Sequence, residues 1–252
     1  MSPSLGIILF ARMSSARLPG KSLMPLGPTT LFERVVARAR CLDQPMVLAT
    51  STDSSDDALC EASRAIGLPV FRGALDDVLD RACEAARAAG FAAFARLCGD
   101  RPFLPLEDMR RGLAIMQESL ATGAHLDLVT SGLPRPVPSG LLTEIILTES
   151  LERVRNETQH PDDREHVTSR FYAHPNAFAI HQLSTPLQAL ANVHMSVDTE
   201  LDRMLLGRVI DACPDVAISE VRAADHLQIT RARLDSEHRR HGRDDKTSAR
   251  TP

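Results

Sequence analysis

Lysine is almost missing from this 252-residue chain: of its 29 basic residues only Lys21 and Lys246 are lysine, and the rest are arginine. Aromatic side chains are scarce as well, at 4% of residues with no tryptophan. The arginines bring no surplus of positive charge. With a formal net charge of −4, nothing in the balance points to a polyanion such as nucleic acid as a partner. Long apolar runs are absent, none approaching the ~18 residues of a membrane span, so no membrane partner is expected. The opening residues, MSPSLGIILFAR, lack a basic start and carry an apolar stretch too short for a secretory leader. The cysteines at positions 41, 60, 83, 98 and 213 form no C-x-x-C pair and have no histidine at zinc-ligand spacing. Such an odd, unframed set fits reduced thiols in the cytoplasm.

What is present is enough for a core, since 43% of residues are hydrophobic. No repeat or linker divides the chain, so one domain is expected over residues 1–234, with halves 1–123 and 124–234. A charged tail with almost nothing to bury follows over 235–252 and is expected to be disordered. Short apolar runs at 5–10, 46–50, 69–72 and 91–98 read as buried strands. Between and after them, helical periodicity covers 31–41, 53–66, 76–89 and 106–122. In the first of these helices Arg34, Arg38 and Arg40 fall mostly on the face opposite Leu31, Val35 and Val36. The alternation predicts an α/β fold with a largely parallel sheet, helices on both faces, and ligands at the carboxyl ends of the strands. Beyond residue 122 the pattern is less regular, with strands expected at 126–130, 141–147, 177–183 and 193–197 and helices at 150–156, 163–173 and 201–213.

The loop after the first strand holds the one lysine outside the tail: Ala11-Arg12-Met13-Ser14-Ser15-Ala16-Arg17-Leu18-Pro19-Gly20-Lys21-Ser22. Its Gly-Lys-Ser ending is not a Walker loop, because Ser15 stands where that pattern needs glycine and Pro25 and Pro28 prevent a helix from starting at the lysine. Arg12, Arg17 and Lys21 nonetheless converge on one short connection with two serines, the composition of an anion site. The same residues also suit a solvated basic loop. Asp100, just past the fourth strand and after Gly99, is well placed to hold Mg²⁺, and Asp198 repeats the device after a short apolar run. A plain turn residue and a plain helix cap are the other readings of these two aspartates.

Six segments resemble, in order, cytidylyltransferases of the spore-coat polysaccharide type, relatives of the synthetases that make CMP-activated acidic sugars. They are ARMSSARLPGK (11–21), ATSTD (49–53), VFRGALDDVLDR (70–81), RLCGDRPF (96–103), REHVT (164–168) and MSVDTELD (195–202), within roughly residues 5–205. The resemblance implies a Rossmann-like, three-layer α/β/α nucleotidyltransferase with a mainly parallel mixed sheet. It implies that Arg12 and Lys21 act on the triphosphate of CTP, with Arg17, Ala11 and Gly99 beside them. Thr50 and the 76–81 turn, Asp77 included, would lie near the nucleoside with Arg96 beneath, and Asp100 and Asp198 would bind Mg²⁺. Arg164 and His166 would contact the acceptor or phosphate. A homodimer through the half that starts near residue 124 is implied as well.

Two departures bear on the acceptor. Where relatives carry Pro-x-Gly-Leu-Asp-x-Glu, this chain has Pro138-Ser139-Gly140-Leu141-Leu142-Thr143-Glu144, which keeps the glutamate and loses the aspartate. Arg101 stands where a small residue is usual. Both changes make the acceptor side more positive, so the expected acceptor is a small anion (phosphonate, phosphomonoester or acidic sugar) contacted by Arg101, Glu144, Arg164 and His166. A glycosyltransferase on a similar fold would need an Asp-x-Asp after a strand, and Asp53–Asp57 opens a helix instead. A non-catalytic nucleotide binder is the other alternative, suggested by Leu142.

Overall fold

The computed structural model describes residues 4–134, 136–190 and 193–232, so the expectation for 235–252 lies outside the described residues. Strand β1 (Ser4–Phe10) is buried from its second residue onward, as its unbroken apolar run predicts. Leu5, Ile7 and Leu9 feed one core while Ile8 and Phe10 feed another on the opposite face. After the long loop come a short hairpin, β2 (Pro25–Leu26) and β3 (Thr29–Thr30), and then α1 (Leu31–Arg40), which starts in a capping box between Thr30 and Glu33. There follow β4 (Met46–Ser51), α2 (Asp57–Ala65), β5 (Val70–Gly73), α3 (Val78–Ala89), β6 (Phe91–Cys98) and α4 (Leu106–Thr122). The second half supplies β7 (Leu128–Thr130), β8 (Glu144–Leu147), α5 (Thr148–Glu157), α6 (Pro161–Glu165), α7 (Ser169–Ala173), β9 (Ile180–Gln182) and α8 (Glu200–Ala212). Residues 220–232 are helical too.

One seven-stranded sheet runs through both halves in the order β5-β4-β1-β6-β8-β7-β9. β5, β4, β1 and β6 are parallel, β8 is antiparallel to both β6 and β7, and β9 is parallel to β7. Helices α1, α4 and α8 cover one face through Val35, Met109 and Leu206. Helices α3 and α5 cover the other through Leu79, Ala82 and Leu151. This is a Rossmann-like three-layer sandwich with a mixed, mainly parallel sheet. The chain runs outward from β1 through β4 to β5 and then returns to β1's other flank as β6, so a crevice opens at the carboxyl ends of β1 and β6. No helix among the described residues is long and apolar enough to cross a membrane.

Several expectations are corrected. Arg34 and Arg38 are buried, not outward: Arg38 is fully enclosed because α1 has chain on its far side, residues 214–220, whose carbonyls and Glu220 take its guanidinium. The expected strand at 193–197 forms only a single bridge, Ser139 to His194. Its apolar residues Met195 and Val197 are buried in the core without ladder partners. The helix expected over 163–173 is broken between α6 and α7. Asp163 accepts the hydroxyls of Thr158 and Ser169, and Val167 turns into the second core, so local hydrogen bonds and burial win over helix continuity.

Candidate functional site

The loop after β1 is folded by a carboxylate beneath it. Asp56 is fully buried and accepts hydrogen bonds from the Met13 amide (2.7 Å), the Thr50 hydroxyl (2.9 Å) and the Ser51 amide (3.0 Å), with the Ser51 hydroxyl as a fourth donor. Burial pushes the Asp56 carboxyl up, but its bonds to Ser51, Met13 and Thr50 outweigh that and hold it below the usual range. The Thr50 expectation is therefore corrected. That side chain is fully buried and serves Asp56, with no surface left for a nucleoside. Asp56→Asn, which cannot accept all four donors, is expected to destabilise the fold by about 1–3 kcal/mol at pH 7. A carboxyl whose folded pKa is depressed contributes above its unfolded pKa of about 3.9 and loses that contribution as pH falls through the folded value. Urea unfolding across pH should thus show a constant gap between wild type and variant above about pH 5 that narrows below about pH 4.

Gly99 brings the end of β6 against this loop. Its amide donates to the Phe10 carbonyl at 2.8 Å, and a Cβ there would sit 2.7 Å from that of Ala11. Asp100 follows directly. Asp198 arrives from the other side, where the Val197 amide donates to the Asp100 carbonyl at 2.8 Å and locks the two segments together. Thr199 caps α8 and forms a capping box with Asp202, so Asp198 has no capping duty and its carboxylate is left for the cleft.

Between these segments lies a cleft of 410 Å³. Lys21 Nζ stands 2.9 Å from Asp100 Oδ2, 2.7 Å from the Val197 carbonyl and 3.4 Å from Asp198 Oδ1. Arg17 donates to Asp198 Oδ1 at 2.8 Å, and Arg12 reaches across the cleft to Glu165 at 3.5 Å. The other Asp198 oxygen faces the Ser196 hydroxyl and His194 Nε2, each at 3.1 Å. Burial pushes the Asp198 carboxyl up, and Lys21, Ser196 and Arg17 together more than offset it, so the group stays ionised below the usual range. Two hard carboxylates therefore already converge on one positive charge. Mg²⁺ takes one or two carboxylates and leaves the rest of its shell to water and phosphate oxygens, and Asp100 with Asp198 fits that donor set. Among the described residues no three or more His, Cys, Asp or Glu side chains gather into a group that could hold a metal ion.

Of the residues expected from sequence, Ala11, Arg12, Arg17, Lys21, Arg96, Gly99, Asp100, His166 and Asp198 line this one cleft. The others do not. Asp77 caps α3 and pairs with Arg164 at 3.1 Å, a bond that ties α6 to α3 beside the cleft. Glu144 is fully buried and cannot reach an acceptor. It accepts from Arg96 at 2.6 Å and from the Tyr172 hydroxyl at 3.0 Å, and so fixes Arg96 in the cleft wall. Burial pushes Glu144 up, while Arg96 and then Arg101 outweigh it and keep the carboxyl ionised. Arg101 lines a separate cavity. Arg81, the last residue of the 76–81 turn expected near the nucleoside, is 3% exposed, lines the cleft and is anchored on the Leu75 carbonyl. Burial lowers its pKa, and its Nε has no hydrogen-bond partner. The packing of α3 on the sheet turns it inward.

Comparison with known proteins shows the family and the fold. A family model described as Cytidylyltransferase matches residues 6–234. The chain is 29% identical over 225 residues to the spore coat polysaccharide biosynthesis protein SpsF of Bacillus subtilis, an alignment covering 85% of this chain and 90% of the relative. Among solved structures, a cytidylyltransferase from Leptospira borgpetersenii superposes with a TM-score of 0.82 at 24% identity, over 92% of this chain and 96% of that one. A CMP:2-keto-3-deoxy-manno-octonic acid synthetase complexed with CTP superposes with a TM-score of 0.60 at 18% identity, over 81% and 99%. At these identities the two structures speak to the fold.

Proposed function

The chain belongs to the cytidylyltransferase family and is a CTP-using nucleotidyltransferase, and from that premise we propose that it transfers CMP from CTP to an anionic acceptor and releases pyrophosphate, with Mg²⁺ held by Asp100 and Asp198. The observation that carries this reading is the gathering of Arg12, Arg17 and Lys21 against the two carboxylates in one cleft at the switch point of the sheet.

Each loop cation is paired with a carboxylate: Arg12 with Glu165, Arg17 with Asp198, and Lys21 with both Asp100 and Asp198. A triphosphate entering the cleft offers these cations denser negative charge, so the proposed binding is an exchange of partners that keeps every charge matched. The arginine forks suit spread phosphate oxygens, and the compact ammonium of Lys21 follows the charge that grows on the leaving pyrophosphate. When bound, Mg²⁺ supplies charge neutralisation and alignment of the phosphate oxygens. An acceptor that is already an anion attacks the α-phosphorus without a general base. Arg96, locked by Glu144, and Arg81 present further fixed positive charge in the cleft wall.

Pyrophosphate release with each of the four nucleoside triphosphates, in the presence of Mg²⁺ and a panel of phosphonates, phosphomonoesters and sugar acids, tests the proposal. Release is expected with CTP and not with the other three, to stop on chelation and to return with added Mg²⁺. CTP binding with no release from any acceptor would overturn it in favour of a non-catalytic nucleotide binder.

A further inference from the structure

Another cavity, of 210 Å³, is lined by Arg101, Tyr172 and the 136–142 segment of the second half. It is small beside the roughly 300–1,000 Å³ of sites for drug-sized ligands. Two connections tie it to the candidate metal ligands. Arg101, in its wall, directly follows Asp100, and Ser139, also in its wall, lies 2.8 Å from the Ser196 hydroxyl that donates to Asp198. A group seated there is thus at the shoulder of the site where CMP transfer is proposed.

The cavity's chemistry is lopsided. Among the described residues Arg101 pairs with no carboxylate. Its guanidinium makes only a long 3.4 Å bond to the Leu142 carbonyl. Glu144 is bonded to Arg96 and Tyr172 and also feels the charge of Arg101, so two arginines share one carboxylate and the neighbourhood carries one positive charge in excess. Pro136, Val137, Pro138 and Leu142 line the cavity with no side-chain acceptor, and the two hydroxyls in the lining are already engaged, Ser139 with Ser196 and Tyr172 with Thr130 and Glu144. A polyhydroxylated body would leave O–H groups unpaired against that wall.

We propose that this cavity binds the acceptor as a small phosphorus dianion, an alkyl phosphonate or alkyl phosphate monoester, with its anionic head on Arg101 and its carbon chain on the apolar wall. The inference rests on the cytidylyltransferase reading above and narrows it. In the transfer, an oxygen of the dianion forms a bond to the α-phosphorus of CTP while the bond from that phosphorus to the α,β-bridging oxygen breaks. The leaving pyrophosphate departs with the electron pair, and no proton moves.

The test measures pyrophosphate release at saturating CTP and Mg²⁺ with propylphosphonate, propyl phosphate and gluconate as probes. The two phosphorus dianions are expected to exceed gluconate in kcat/KM by about a hundredfold, and whichever of the two is faster identifies the source of the dianion. Arg101→Gln should raise the dianion's KM by about tenfold to a hundredfold, the loss of one charge-assisted hydrogen bond, while the KM for CTP stays at the wild-type value and reports an intact fold. Leu142→Asp should weaken the dianions by about tenfold or more through like-charge repulsion. Preference for gluconate, or an unchanged dianion KM in Arg101→Gln, overturns the inference and leaves the cytidylyltransferase reading standing. Absence of CTP-dependent release with all three probes overturns the inference as well, and absence of CTP binding overturns both.

Discussion

Replacing Lys21 by alanine is expected to lower kcat by about a hundredfold or more, the effect of removing one preorganised donor from developing oxyanion charge. The Lys21 side chain is only 13% exposed, and its ammonium sits among Asp100, Asp198 and the Val197 carbonyl, so it acts from a partly desolvated position where charge is screened little by water. Its removal also leaves the two carboxylates facing each other without the cation that bridges them. Lys21→Arg is the sharper test. Three oxygens within 3.4 Å converge on the single Nζ, a geometry that a point donor meets and a planar fork with separated nitrogens does not. The arginine variant should therefore recover only part of the lost rate. Steady-state kinetics with CTP decide the matter: a near-normal kcat in Lys21→Ala removes this residue from the mechanism, and a full recovery in Lys21→Arg would mean that positive charge alone suffices. The scarcity of lysine in an arginine-rich chain then has a physical reading at one position, since this is the place where a fork does not serve.

The largest stability effect is expected from Arg38. Its side chain is fully buried, with Nε donating to the Leu104 carbonyl at 2.8 Å, one terminal nitrogen to Val216 and Ile218, and the other to Glu220 at 2.6 Å. Glu220 also accepts the Leu106 amide at the start of α4, so one ion pair joins α1, α4 and the helical stretch that begins at residue 220. Burial lowers the pKa of Arg38, and Glu220 opposes that shift. Arg38→Met strands a buried carboxylate and three carbonyls and should cost about 3–5 kcal/mol, a drop of about 10 °C in Tm for a chain of this size. Arg38→Met combined with Glu220→Leu should be less damaging than the sum of its parts, because the second change removes the stranded charge. Thermal unfolding of the single and double variants measures this. A single variant within about 1 kcal/mol of wild type would show that the clamp contributes little.

The central strands and the cleft were legible because each rests on a local signal. An apolar run such as 5–10 has few solutions other than a strand buried on both faces, and β1, β4 and β6 sit where those runs predict. Asp100 and Asp198 were legible as residues delivered by buried segments, although setting aside the cap reading of Asp198 needed the structure, where Thr199 takes the cap. What was not legible depends on distant chain. The apolar run 193–197 carries the burial of a strand without a neighbouring edge to pair with, and periodicity cannot tell the two apart. Arg34 and Arg38 read as polar-face residues because the segment that encloses them, residues 214–220, lies elsewhere in sequence. Thr50 and Glu144 bear the right chemistry at nearly the right place, yet each is spent on a buried partner, Asp56 and Arg96. The resemblance pointed to residues most of which converge on one cleft, and the hydrogen-bond network divides them between those that face the cleft and those that hold it in shape.

Transfer of the cytidylyl group is decided by the fate of the α-phosphorus. The enzyme is incubated with Mg²⁺, an active acceptor and CTP labelled at the α-phosphorus, with a parallel reaction labelled at the γ-phosphorus. The α label is expected to move onto the acceptor while the γ label leaves as pyrophosphate in equal amount. An α label that stays in CTP, or a γ label that appears as orthophosphate with none in pyrophosphate, would contradict it.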